Sequence, residues 1–232
     1  MEPTADLDQG ARRQLPSGLT AVLLALAALL VVAIGAGVLI VRATSARPAA
    51  RVQAPPAPVG PQATWAAGAR PAPDFRLTDQ AGRPVSIARF RGRPVIVTFI
   101  DPLCRNLCPL EARILERAWS TLPAAQRPAI VSVSVNRWGN ARRYLLQDDS
   151  RWGLRSGWTW AVGPGAALAR VWRSYQIGVR DVPKTIDGVT VHNIEHTEAS
   201  YIVDTKGDVR ALLLYPFTVA DVTSAVTRYG GA

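Results

Sequence analysis

The chain has almost no cysteine, histidine or lysine: its 232 residues contain two of each. No cysteine lies near the one long apolar run, which excludes a lipid-modified anchor there. Gly163-Pro-Gly165 lacks the G-x-G-x-x-G spacing and no Lys-Ser/Thr follows it, which excludes a phosphate-binding loop. The basic residues are not interleaved with aromatics and fit no nucleic-acid motif, so nucleic acid is excluded as a partner. His192 and His196 stand four apart without a glutamate directly after the first, which excludes a zinc-protease helix.

Both cysteines fall in one stretch, Asp101-Pro-Leu-Cys104-Arg-Asn-Leu-Cys108-Pro109. Before it, Pro94-Val-Ile-Val-Thr-Phe-Ile100 is β-branched and nearly all apolar, as a central strand buried on both faces should be. After it, Leu110, Ile114, Leu115 and Trp119 recur at helical spacing over Pro109 to Leu122, with Pro109 suited to a first turn. The cysteines therefore sit where a strand hands over to a helix. An i, i+4 pair there faces one way, and the helix N-terminus, with Arg105 nearby, favours a thiolate. Such a pair can cycle between dithiol and disulfide or offer two soft sulfurs to a metal such as Cu(I); it can also be a structural disulfide or two packed thiols.

The net charge of +10 comes from 25 arginines with Lys184 and Lys206 set against 17 acidic residues. Arg83, Arg89, Arg91 and Arg93 cluster as a solvated basic face that suits anionic headgroups or an acidic partner. Residues 1–18 are a polar tail. The run from Leu19 to Val41 carries no charge and is long enough for one membrane-spanning helix. The twin arginine Arg12-Arg13 admits an export signal, but the apolar run is long for one, and an uncleaved anchor fits better. Arg12 and Arg13 before the run and Arg42, Arg47 and Arg51 after it leave the orientation undecided by charge. Residues 42–71, rich in alanine and proline, read as a semi-rigid linker. At about 3.1 Å per extended residue it could hold a domain well away from a bilayer.

The folded domain is expected over residues 72–232. Phe75 to Thr78 and Val85 to Ile87 flank the turn sequence Asp79-Gln-Ala-Gly82 as a hairpin. Ile130 to Val135 alternates apolar and polar as a second core strand, a short helix covers Ala141 to Gln147, and Trp158 to Val162 is a third strand before a helix over Ala166 to Tyr175. His192 falls in a polar loop, where a lone histidine is ordinarily a surface or core residue; His196 begins the approach to a strand at Tyr201 to Val203. An Asp-Thr-Lys-Gly turn leads to a strand over Val209 to Leu214, and Thr218-Val-Ala-Asp221 caps a closing helix that reaches Tyr229. The fold class is α/β with a mixed sheet.

A strand, then Cys-x-x-x-Cys-Pro at a helix start, then His196-Thr-x-x-x-Tyr201-x-x-x-x-x-Gly207, resembles the SCO/SenC family of thioredoxin-like copper proteins over residues 72–230. The resemblance implies a thioredoxin-like fold, copper as cofactor, and Cys104, Cys108 and His196 as its ligands. It further implies a copper chaperone delivering to a respiratory oxidase subunit or other copper acceptor, with its domain outside the cytoplasm behind the N-terminal helix. Two thiolates and an imidazole make a soft site suited to Cu(I), and an added oxygen or nitrogen ligand suits Cu(II). Arg105 stands where the family often has proline. Asp101 stands where a small or polar residue is usual, and is either an extra ligand or a turn residue. The chain is unlike thioredoxin and TlpA-like reductases, which carry Cys-x-x-Cys and a proline just before the late strand; Pro183 is too far upstream. It is also unlike peroxiredoxins, whose Pro-x-x-x-Thr-x-x-Cys would place proline and threonine at Val97 and Asp101. The enzymatic alternative is a thiol-disulfide oxidoreductase in which Cys104 attacks and Cys108 resolves.

Overall fold

The computed structural model describes residues 18, 22, 25–33, 60–154 and 158–231. Within the apolar run, residues 25–33 are helical, with Leu26, Leu29, Leu30, Val31 and Val32 exposed. Among the described residues no helix is long and apolar enough to cross a membrane, and most of the expected spanning segment, like residues 42–59 of the expected linker, lies outside them.

Pro55–Ala232 forms a unit of its own. Its strands are β1 (Ala63–Thr64), β2 (Leu77–Thr78), β3 (Pro84–Val85), β4 (Val95–Ile100), β5 (Ala129–Ser134), β6 (Trp158–Ala161), β7 (Val179–Ile186), β8 (Val189–His196), β9 (Ala199–Val203) and β10 (Val209–Leu214). Its α-helices are α1 (Leu107–Thr121), α2 (Arg142–Trp152), α3 (Gly165–Ser174) and α4 (Val219–Tyr229). Six strands make one mixed sheet in the order β1-β10-β9-β4-β5-β6. β4, β5 and β6 run parallel, whereas β9 is antiparallel to β4 and β10 to β9. The α/β expectation therefore holds. β1 lies inside the stretch read as linker, pairing with β10 at the sheet edge.

β4 is buried at every residue, as its apolar run requires of a central strand. Its odd positions, Val95, Val97 and Phe99, enter one core with Val131, Val133, Leu168 and Tyr175; Ile96 and Ile100 enter the other with Leu115, Leu145, Trp160 and Val222. β5 alternates serine with aliphatics in sequence, yet Ser132 and Ser134 are as buried as their neighbours because both faces of the sheet are covered. The hairpin β2–β3 forms in the expected place. Its second arm is shorter: Ile87 begins a single 3-10 turn, its N–H donating to Asp74 Oδ1 (2.8 Å).

Helix α1 differs from its sequence reading by a rotation. Leu110 is 44% exposed, while Cys108, Glu111, Ala112, Leu115 and Ala118 face the core. A carboxyl group can take that inward position because β4 and β9 present hydroxyls to it: Thr98 and Ser200 both donate to Glu111 Oε1, at 2.6 and 3.1 Å. The cap on α4 is as expected, with Asp221 N–H donating to Thr218 Oγ1 (3.2 Å) and Thr218 N–H donating to Asp221 Oδ2 (2.8 Å).

His192 lies in a strand, not in a polar loop. β7 and β8 form a separate two-stranded hairpin of eight residues each, turned at Asp187-Gly188, both of which have positive φ (49° and 77°). Asp-Gly is a strong two-residue hairpin signal because both positions tolerate left-handed backbone. Pro183 is accommodated in this isolated ribbon, opposite His192.

Candidate metal centre

Asp101 shapes the turn between β4 and α1. Its Oδ1 accepts from Leu103 N–H (2.7 Å) and its carbonyl accepts from Cys104 N–H (3.1 Å). It is therefore a turn residue that holds Cys104 in place. Arg105 Nη1 donates to the carbonyls of Pro102 (3.2 Å) and Cys104 (3.0 Å) and reaches Oδ1 of the buried Asp148 (3.4 Å). Burial pushes the Asp148 carboxyl up to about 7, with Arg105 opposing. The guanidinium thus ties the cysteine turn to α2.

The two sulfurs are free and sit in unlike surroundings. Cys104 is half-buried; Cys108, in the first turn of α1, is buried. A hydrogen bond from the Cys108 thiol is the largest of the influences that bring Cys104 down to about 6, and N–H groups at the start of α1 add to it against burial. One of these, Cys108 N–H, lies 3.4 Å from Cys104 Sγ. While protonated, Cys104 donates to Asn106 Oδ1 (2.9 Å). The same hydrogen bond, together with burial and the neighbouring thiolate, holds Cys108 up as a thiol. One cysteine is thus prepared as an anion and the other kept protonated.

His196 ends β8, opposite Val179 on β7. Its Nδ1–H donates to the carbonyl of Thr197 (3.1 Å), which leaves the Nε2 lone pair free. That nitrogen lies 3.8 Å from Cys108 Sγ, although the residues are 88 apart in sequence. Burial lowers the histidine below its ordinary pKa and favours the neutral form that binds metals. Two donors at this separation can share one first-row ion at bond lengths of about 2.0–2.3 Å.

Cys108, His196 and Glu198 offer ligand atoms that all lie within 4.8 Å of one another. Cys104 Sγ stands outside that set, joined to it through its hydrogen bonds with Cys108. An open cavity of about 920 Å³ lies over this side, lined among others by Cys104, Arg105, Trp138, His192, His196 and Glu198. His192 does not join the cluster. Its Nδ1 is 2.8 Å from Asp181 Oδ2 and its ring stacks on Trp138 at 3.6 Å and 12°. Sequence reasoning missed Glu198 and Glu111. For the first, which lies in the short link between β8 and β9, the signal was its place two residues past His196. For Glu111 there was only an acidic residue one position from the apolar stripe.

A free thiolate, a buried thiol and a neutral imidazole form a soft donor set, with a carboxylate beside it. The SCO1/SenC family model matches residues 66–230, the whole of the sheet from just after β1 and the helices α1 to α4. The chain belongs to the SCO1/SenC family. Solved structures similar to it include Bradyrhizobium japonicum ScoI with copper bound (21% identity, TM-score 0.57, covering 68% of this chain and 98% of that one). Yeast Sco1 with copper bound is 16% identical at TM-score 0.60, covering 68% and 87%. BsSco, described with a disulfide switch as a member of the Sco family of cytochrome c oxidase assembly proteins, is 18% identical at TM-score 0.54, covering 72% and 96%. No curated protein sequence matches the chain significantly. At these identities the likeness to solved structures is one of fold, and the roles of the SCO1/SenC residues here rest on their own geometry.

Proposed function

We propose that this SCO1/SenC protein is a membrane-anchored copper-binding chaperone that delivers copper, as cargo, to the copper centre of a respiratory oxidase. Cys104, Cys108 and His196 hold the ion. The close approach of His196 Nε2 to Cys108 Sγ carries the reading, because a sulfur and an unprotonated imidazole nitrogen from distant parts of the chain meet beside a second sulfur. Sulfur and imidazole suit Cu(I), and metal moves on by ligand exchange with the acceptor's thiols. The uncharged run Leu19 to Val41 supports the anchor, and the linker gives the domain reach toward a partner in the same membrane.

The unlike sulfurs favour a second activity that is compatible with the first. The Cys104 thiolate attacks an acceptor disulfide to give a mixed disulfide. Cys108 then loses its proton and displaces the second acceptor thiolate, so the acceptor leaves as a dithiol and Cys104–Cys108 is oxidised. An acceptor's cysteines must be reduced before they can take copper.

Two experiments test these readings. In a host deleted for the chain, copper content and activity of the membrane oxidase should fall and be restored by wild type but not by Cys104→Ser with Cys108→Ser; full restoration by the double variant contradicts delivery. A reporter fused after Ala232 that is active only outside the cytoplasm should be active, and its inactivity contradicts the orientation.

A further inference from the structure

Glu198 stands in the link from β8 to β9, two residues past His196. Its backbone is fixed: its carbonyl accepts from Tyr215 N–H (3.0 Å), and the next residue, Ala199, is paired with Leu214. Its side chain is half-exposed, with a carboxylate oxygen within 4.8 Å of both Cys108 Sγ and a His196 ring nitrogen. Among the described residues no arginine or lysine pairs with it, whereas Glu195, one residue before His196, is bound to Arg180. A carboxylate oxygen, a cysteine sulfur and a histidine nitrogen converging with no cationic side chain between them is a donor arrangement that a bound metal ion fills.

We propose that Glu198 is an oxidation-state-selective ligand: it completes the coordination of Cu(II) and takes no part in holding Cu(I). The inference rests on the copper-binding reading above. A monovalent, soft ion is satisfied by two sulfurs and an imidazole, and a hard carboxylate adds little to it. The divalent ion is harder and prefers a fourth donor of nitrogen or oxygen type in a tetragonal arrangement. Glu198 supplies an anionic oxygen on the side of His196 and Cys108, where a small movement of the side chain suffices. The same three ligands then serve either ion, with Glu198 added for the divalent one.

The test uses the full-length chain in detergent, loaded separately with Cu(I) under anaerobic reduction and with Cu(II), for wild type, Glu198→Gln and His196→Ala. Affinities are read by competition with chelators, and Cu(II) coordination by electron paramagnetic resonance and the sulfur-to-copper charge-transfer band. Glu198→Gln should lose about tenfold or more in Cu(II) affinity and change the copper hyperfine coupling, while its Cu(I) affinity stays within about threefold of wild type. Unchanged Cu(II) affinity and spectra in Glu198→Gln overturn the assignment, as does an equal loss for both ions, which marks a merely structural effect. Wild type that takes up neither ion more tightly than His196→Ala overturns the copper-binding reading itself, and this inference with it.

Discussion

Cys104 and Cys108 are four residues apart and chemically opposite. Cys104, brought down to about 6 by the thiol proton of Cys108 and by helix N–H groups, is expected to react with iodoacetamide along a pH profile with its midpoint near 6. Cys108, buried and held protonated, stays unmodified until the chain unfolds. Mass spectrometry of the labelled peptide checks this, and equal labelling of both residues contradicts it. Glu111 is the other unusual residue. Burial pushes its carboxyl from 4.5 up to about 8, so the folded state holds a proton that the unfolded state has lost. That proton's stabilisation is complete below about 4.5 and disappears as pH rises to about 8. Denaturant unfolding of wild type should therefore show stability falling across that window, and Glu111→Gln should flatten the slope; parallel profiles would contradict it. The cysteines drew attention in the sequence because both fall in one short stretch, and the family resemblance set His196 apart from His192. Glu111 was not, because its position depends on Thr98 and Ser200 from two strands whose adjacency the sequence does not display.

The ribbon β7–β8 is the element that carries His196 to the thiols. It makes no part of the six-stranded sheet, and Ile186, Val189 and Val191 are exposed along it. Its contact at His192, through the stack on Trp138 and the Asp181 hydrogen bond, makes His192 a clip that steadies the ribbon. His192→Ala is expected to weaken Cu(I) binding only several-fold, against about 100-fold or more for His196→Ala, with chelator competition as the readout. Equal losses in the two variants would assign His192 a ligand's role. The Asp187-Gly188 signal lay in the sequence, flanked by alternating residues, but Pro183 and the scatter of polar side chains obscured it. The helices were legible in position, and α1 was misjudged only in rotation, since apolar spacing cannot tell which of two adjacent stripes faces hydroxyls.

For the molecule as a whole, the mixed α/β sheet followed from alternating strand and helix patterns and from the continuous apolar run of β4. The site is a property of this topology: β4 delivers the cysteine turn, and β9, antiparallel beside it, brings the end of β8 back to the same place. No local pattern states that Cys108 and His196 meet; only the family resemblance anticipated it. Copper binding by Cys104, Cys108 and His196 together is therefore best tested by anaerobic Cu(I) titration of the reduced full-length chain in detergent against a competing chelator, for wild type and His196→Ala. Wild type should bind tightly at one copper per chain, and this binding should collapse in the variant. Binding no tighter than that of a generic dithiol, or binding indifferent to His196, would contradict it.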